Sequence, residues 1–220
     1  MSKPATAKKG PENFLRLHWF DLGIVLASLV GAYVLIARLS GLTLVLWLSL
    51  AALFVHQFEE YRYPGYFPGL INSVFFSSKQ PDRYPLNTNS AVAVNLGAGW
   101  TAYFLAAIVN VHAIWLGIAV TIISVGNIVI HTFVFNIRRR MIYNPGLATS
   151  LLLFLPISTY FYYSVIVSGA ASVLDWAVGI ALGIALFYIG IDKLVDWLKD
   201  PNTSNVFPAR CLIPAKGNEN

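Results

Sequence analysis

The sequence predicts an all-α integral membrane protein whose helices form a six-helix transmembrane bundle. Of its 220 residues, 57% are hydrophobic and only 11% are charged, whereas a soluble domain contains about 25% charged residues. Apolar runs of about 18–23 residues recur between short polar segments, and about 20 such residues cross the hydrocarbon core of a bilayer. The net charge of +5 therefore belongs to the loops of a membrane protein, and nucleic acid binding is not expected.

We predict six membrane spans in order along the chain. They cover residues 21–39, 42–60, 89–110, 113–136, 146–167 and 173–191. The first apolar run lacks a small-residue cleavage pattern, so we expect it to remain as an anchor. A mixed basic segment, 1–20, precedes this transmembrane domain, 21–191, and a polar tail, 192–220, follows it. The longest connection, 61–88, is aromatic and rich in Pro and Gly, which predicts an interfacial anchor or a lid over a site.

The positions of the basic residues predict the side on which each end of the chain lies. An even number of spans places both ends on the same side of the membrane. Of the 15 Lys and Arg residues, Arg38 alone falls on the opposite side, and the other 14 share the side of the two ends. By the positive-inside rule both termini are cytoplasmic. We expect the protein in a membrane such as the bacterial inner membrane.

Two adjacent carboxylates end the second span, in the sequence His56-Gln57-Phe58-Glu59-Glu60. An ionised side chain at membrane depth costs several kcal/mol unless it is paired, protonated or bound to a metal. At 100° per residue, His56, Glu59 and Glu60 lie at about 0°, −60° and +40° around the helix. One imidazole and two carboxylates on one face could bind a metal, relay protons or hold a water molecule.

Polar residues of other spans are expected at the same depth as this motif. Counted at about 1.5 Å per residue from the cytoplasmic end of each span, His56 and Asn95 lie roughly 9 Å deep, and His131 about 10 Å deep. Asn127 precedes His131 by four residues and therefore shares its helix face. Asn144 lies at the cytoplasmic start of the fifth span. The shared depth predicts a site between the helices.

The kinds of side chain expected at this depth predict a metal site whose ligands are His56, Glu60 and His131. Two histidines and one carboxylate with an open coordination position are typical of catalytic zinc, so zinc is the metal we expect. A site with two metal ions is not favoured because no second Glu-x-x-His pair occurs. The single cysteine, Cys211, leaves histidines and carboxylates as the available ligands.

The remaining polar residues have candidate roles around such a metal. Glu59 or Glu60 could act as the general base, with its pKa raised by burial beside a like charge. Asn127 or Asn95 could donate a hydrogen bond to a developing oxyanion. Asn95, Asn144 and Arg62 are candidates for contacting and orienting the metal ligands. Each also has a purely structural alternative, because buried histidines and amides often bond backbone carbonyls, join helices or cap them.

The motif resembles the one that names the HXXEE family of small polytopic membrane proteins. The likeness includes Asn127-x-x-x-His131 and the stretch Tyr143-Asn144-Pro145-Gly146, and it covers about residues 40–190. This resemblance implies a membrane protein but no particular activity. A weaker analogy is to the membrane prenyl-protease and abortive-infection family, which also has an adjacent Glu pair. In that family an arginine follows the second Glu by four residues, whereas Arg62 follows Glu60 by two.

Three functions remain open from the sequence. The first is a hydrolase, possibly metal-dependent, acting near the cytoplasmic leaflet on a lipid, a lipidated peptide or another amphiphile, with membrane lipid as its partner. The second is a proton- or ion-coupled transporter or relay, although the spans lack the paired broken helices of many transporters. The third is a structural or accessory membrane protein, in which the polar cluster fixes the helix register. The sequence does not indicate an oligomeric state.

Overall fold

The described part of the chain consists of helices joined by turns and loops. The computed structural model describes residues 11–214, with side chains from Phe14 onward, and this part contains no strand. The outer ends of the predicted terminal segments, residues 1–10 and 215–220, lie outside it. The predicted all-helical class is confirmed.

Within residues 11–214, five helices are long and apolar enough to cross a membrane, judged by length and composition. They are Phe14–Ile36, Gly41–Tyr61, Thr88–Arg139, Leu147–Ser168 and Val173–Leu198. The full first helix is Pro11–Ile36, which we call α1, and Gly41–Tyr61 is α2. The last two of the five are α5 and α6.

The 52-residue helical stretch Thr88–Arg139 turns back on itself near its middle. A 3-10 turn, Asn110–Ala113, interrupts it, and Asn110 has a positive φ of 52°, which is incompatible with a continuing α-helix. The hydroxyl of Tyr103 donates to the carbonyl of Val120 at 2.9 Å, so the two halves run side by side. We call the halves α3 (88–109) and α4 (114–139).

Helix α2 lies at the centre of the molecule, which explains why its polar end is buried. Its apolar side chains Leu46 and Leu50 are each 1% exposed and belong to the largest core cluster. Helices α1, α3 and α5 all pack against α2. Residues at the end of α2 are therefore surrounded by other helices rather than by lipid.

Helices α4 and α6 approach closely because α6 presents two glycines to α4. A Cβ on Gly179 would lie 2.7 Å from the Cβ of Ile118, and one on Gly183 would lie 2.9 Å from the carbonyl oxygen of Ala119. The spacing is the small-xxx-small pattern that allows close helix packing within membranes. At its start, α6 is capped reciprocally by Ser172 and Asp175.

One end of the bundle, which carries Glu60 and is called the motif end, is closed by the loop after α2 and by the C-terminal tail. The loop contains a short helix, Phe67–Leu70, continued by a π-helical turn, Ile71–Phe75. The loop is tied by the buried Asn72, whose amide bonds the carbonyl and the N–H of Leu86 at 2.8 and 3.0 Å. The loop thus folds over the motif end, and its role as an anchor or a lid stays a prediction.

The tail crosses the same end of the bundle. The backbone N–H of Phe207 donates to the carbonyl of Asp82 at 2.7 Å, and the Arg210 guanidinium donates to the carbonyl of Tyr61 at 2.6 Å. Cys211 is buried, at 1% exposure, and burial raises the pKa of its thiol to about 11. The described tail is therefore a packed part of the fold.

A candidate metal centre

Three buried side chains from two helices converge near the motif end. His56 and Glu60 lie one turn apart on α2 and are 2% and 5% exposed, and His131 on α4 is fully buried. The Nε2 atoms of His131 and His56 lie 3.3 and 3.5 Å from Oε1 of Glu60. One ligand atom from each residue lies within 4.8 Å of the others, so the group could hold a metal ion. These are the three residues that the sequence predicted as ligands.

The tautomer of His56 follows from a chain of hydrogen bonds. Thr149 Oγ1 donates to Oε2 of Glu59 at 2.5 Å. The only other group to which this hydroxyl donates in the described part of the chain is the carbonyl of Gly146, at 3.3 Å. The single hydroxyl hydrogen of Thr149 is therefore used, so Oγ1 accepts from Nδ1–H of His56 at 2.8 Å. In the neutral imidazole, Nε2 of His56 then carries a lone pair.

The tautomer of His131 follows in the same way from Asn144. The amide nitrogen of Asn144 lies 2.7 Å from the carbonyl oxygen of His131 and 2.9 Å from Oδ1 of Asn136. Both of its N–H groups are thus donated, and the orientation of the amide is settled by these two oxygens. Oδ1 of Asn144 accepts from Nδ1–H of His131 at 2.7 Å, which leaves the lone pair of His131 on Nε2.

When both imidazoles are neutral, the three side chains present hydrogen-bond acceptors without a donor. Two imidazole lone pairs face one carboxylate oxygen, and neither Nε2 receives a hydrogen bond from any residue in the described part of the chain. Buried acceptors this close require a positive charge or a proton between them. Aromatic rings surround the group, with Phe154 4.7 Å from the His56 ring and Phe67 5.6 Å from the His131 ring.

Glu59 faces a different group of partners from Glu60. Its carboxylate accepts from the Tyr143 hydroxyl at 2.7 Å, from the N–H of Ala148 at 3.1 Å, and from both the N–H and the hydroxyl of Thr149. Burial and this hydrogen bond to Glu59 raise the pKa of Tyr143 above its ordinary value, so Tyr143 remains a donor. Glu59 therefore joins α2 to the start of α5 and orients Thr149.

The segment before α5 brings these partners to the histidines. Gly146 has a φ of +101°, and a Cβ at this position would lie 2.3 Å from Cε1 of His131. Only glycine combines this backbone conformation with such a close approach to a ring. His131 itself lies in a π-helical turn, Ile130–Val134, a local irregularity that often occurs at functional sites.

A cavity of about 100 Å³ is lined by two of the three ligand candidates, His56 and Glu60. Its lining includes Asn95, Asn127 and Gln57. Asn127 donates to the carbonyl of Ile123 at 3.1 Å, and Asn95 accepts from the Gln57 amide at 2.9 Å. Both residues predicted as oxyanion donors therefore line this cavity. Asn127 retains one N–H that is not donated to Ile123, whereas both N–H groups of Asn95 are donated to the Tyr61 hydroxyl and the Ala91 carbonyl.

Arg62 lies apart from the cluster. Its Nε pairs with Oδ1 of Asp21 on α1 at 3.2 Å. Sequence reasoning did not identify Thr149, Tyr143 or Gln57. Gln57 is a polar residue within an apolar span, and Tyr143 belongs to the stretch that resembles the HXXEE family, so both gave a signal without a role. Thr149 gave no signal that distinguishes it from other residues at the end of a helix.

Comparisons with known proteins agree with the motif. Residues 47–161 match the model of a family described as a protein of unknown function with HXXEE motif. No curated protein and no solved structure matches the chain. The family match spans more than half of the chain and includes all three ligand candidates, and it confirms the resemblance seen in the sequence. The chain belongs to the HXXEE-motif family of proteins of unknown function.

Proposed function

We propose that this protein is a metal-dependent hydrolase of the membrane, acting on a lipid or a lipidated, amphiphilic substrate. The observation that carries the proposal is the convergence of two imidazole Nε2 atoms on the Glu60 carboxylate, with neither Nε2 hydrogen-bonded in the described part of the chain. A protein that needed only a rigid polar core would pair these acceptors with donors, because unpaired buried acceptors are costly.

Zinc is the metal that this donor set favours. Two imidazole nitrogens and one carboxylate leave a fourth position open in a tetrahedral site. A zinc ion bound there would lower the pKa of a coordinated water molecule and polarise a scissile carbonyl or phosphoryl group. His56, His131 and Glu60 would hold the ion, and Thr149 and Asn144 would fix the two imidazoles in their ligating tautomers.

The other polar residues take roles that suit their contacts. Asn127, with one amide N–H free of its bond to Ile123, would donate to an oxyanion in the cavity. Because the Glu59 carboxylate already accepts four hydrogen bonds, we assign it the task of positioning Thr149 rather than of abstracting a proton. The general base would then be Glu60 or a group bound to the metal.

We further propose six membrane crossings, with α3 and α4 each crossing once. The reversal at Asn110–Ala113 and the distribution of Lys and Arg support this topology. The motif end would then face the cytoplasm, as would both termini. Reaction would take place near the cytoplasmic leaflet of a membrane such as the bacterial inner membrane.

The test is the metal content of the purified protein. Prepared in mild detergent without chelators and analysed by mass spectrometry, the protein should contain about one zinc per chain. His131→Ala and Glu60→Gln should lose it while remaining folded. His112→Ala is the matched control, because His112 is exposed in the turn between α3 and α4 and its loss should leave zinc unchanged. Metal-free protein that regains no zinc on titration would contradict the proposal.

A proton relay is the second candidate, supported by the same distances. Without a metal, a proton shared between Glu60 and either histidine would satisfy the 3.3 and 3.5 Å contacts, and such chains of titratable groups carry protons in membrane proteins. Proton flux in liposomes containing metal-free protein, abolished by Glu60→Gln, would favour this function over hydrolysis. The absence of both bound zinc and proton flux would indicate that the cluster is a structural network.

A further inference from the structure

A second, larger cavity lies in the groove between α1, α2 and α3. Its volume is about 610 Å³. Its walls are formed by side chains of all three helices, among them Leu29, Tyr33, Trp47, Leu50, Phe104 and Leu105. The hydroxyl of Thr101 is turned back onto the carbonyl of Leu96. The groove is therefore an almost purely apolar surface.

The location of the groove indicates what fills it. All three helices belong to stretches that could cross a membrane, and the rim residues Leu29 and Phe104 are 60% and 48% uncovered by the protein. Within the hydrocarbon region of a bilayer, an open apolar groove is in contact with lipid chains. Its volume lies within the range of roughly 300–1,000 Å³ that is typical of small-molecule sites.

A pair of side chains separates the groove from the cavity at the metal centre. Trp100 lines the groove and Gln57 lines the cavity, and the indole N–H donates to Oε1 of Gln57 at 2.6 Å. The Trp100 ring also packs edge-on against Phe54, at 4.9 Å between centroids. One indole and one amide thus form the boundary between an apolar compartment and a polar one.

We propose that the groove binds one acyl chain of a bilayer lipid whose polar part reaches the metal centre past Trp100 and Gln57. The proposal rests on the proposed hydrolase function and narrows its substrate class to a lipid with a long hydrocarbon chain. The apolar walls hold the chain and exclude polar groups. The amide of Gln57, which has one N–H beyond its bond to Asn95, then meets the part of the lipid where ester or phosphate oxygens begin.

The experiment is a crosslinking titration with a phosphatidylcholine that carries a diazirine on one acyl chain. Purified protein in mild detergent is titrated with this lipid, irradiated and digested, and the labelled residues are mapped by mass spectrometry. We expect labelling that saturates at about one lipid per chain and maps to groove residues. Labelling that never saturates and spreads over the outer faces of α5 and α6 would overturn the proposal, as would a groove filled by a second copy of the chain.

Two variants on the same helix provide the matched pair. Leu29→Trp narrows the groove from its rim and should raise the half-saturating lipid concentration about tenfold. Leu35→Trp makes the same change at a residue that is 78% uncovered and does not line the groove, and it should leave the titration unchanged. Leu105→Trp, from the opposite rim, repeats the test should Leu29→Trp fail to fold. Equal effects of the rim and control variants would contradict the proposal.

Zinc content measured on the same samples separates this inference from the proposed function. Protein that contains zinc but shows no saturable labelling retains a metal centre and refutes the acyl-chain site. Protein that binds the lipid at the groove without zinc supports the groove and refutes the metal-dependent hydrolase.

Discussion

Each histidine of the candidate centre is held in one tautomer by a neighbour that donates all of its own hydrogens elsewhere. That neighbour can therefore only accept a hydrogen bond from Nδ1–H of the histidine. Thr149 has already given its hydrogen to Glu59, and Asn144 has already given both of its N–H groups to oxygens. The two adjacent glutamates of the motif therefore have different tasks. Glu60 faces the imidazoles, whereas Glu59 holds the residue that orients one of them.

Replacing Thr149 tests this arrangement at the level of one atom. Thr149→Val keeps the shape of the side chain but removes the acceptor for Nδ1–H of His56. We expect zinc affinity to fall by about 10–100-fold, the usual effect of losing a partner that orients a metal ligand. Thr149→Ser retains the hydroxyl and should stay close to the parent protein. Zinc dissociation constants from chelator competition give the comparison, and equal losses in both variants would refute the role of the hydroxyl.

Gly146 offers a test of the contact with the His131 ring. Gly146→Ala would place a Cβ 2.3 Å from Cε1 of His131, so the imidazole must move and zinc binding should be lost. The control is Gly169→Ala, because Gly169 also has a positive φ, of +62°, but nothing lies within 4 Å of its Cβ position. It should lower the free energy of unfolding by about 1–2 kcal/mol through backbone strain alone and keep its zinc. Retention of zinc by Gly146→Ala would contradict the observed packing.

At the scale of elements, the loop after α2 and the C-terminal tail form one closure of the motif end. The sequence predicts the loop as an anchor or lid from its aromatic residues, and Phe67 does contact the His131 ring. The tail was expected to be a polar segment outside the bundle, and nothing in its composition indicates that it packs on the loop. Gly69 makes this contact possible, because its missing side chain leaves room for the backbone of Leu212.

The closure can be tested through Cys211, the one cysteine of the chain. Its thiol is buried and has a pKa of about 11, so roughly one thiol in a thousand is ionised at about pH 8. Maleimide should therefore react slowly with the folded protein. Gly69→Ala would place a Cβ 2.7 Å from Cα of Leu212 and should speed labelling at least about tenfold by displacing the tail. Gly31→Ala, with nothing within 4 Å, is the control, and equal rates in both variants would show that the tail does not dock on Gly69.

At the scale of the whole molecule, the sequence predicted the class of fold and the ligand candidates for identifiable reasons. Apolar length gave the helices, and shared depth and helix face brought together His56, Glu60 and His131. The packing between helices could not be predicted from apolar length, depth and helix face. The bonds from Glu59 to Thr149 join residues 90 positions apart, and no periodicity within either helix encodes them. The groove between α1, α2 and α3 likewise depends on how far neighbouring helices diverge.

The number of membrane crossings is a property of the whole molecule, and it can be tested by labelling at one position. Val111 lies in the turn between α3 and α4 and is 46% exposed. If both helices cross, Val111→Cys should react with a membrane-impermeant maleimide on intact cells, because the turn then faces the outside. Ser204→Cys, at an exposed position of the tail, should react only after the membrane is permeabilised, and the buried Cys211 provides a low background. If the hairpin Thr88–Arg139 instead entered and left the membrane on the same side, the turn would lie in the hydrocarbon region, and Val111→Cys would react under neither condition. Reaction of both variants only after permeabilisation would place the turn and the motif end on the same side, and the proposed six-crossing topology would be wrong.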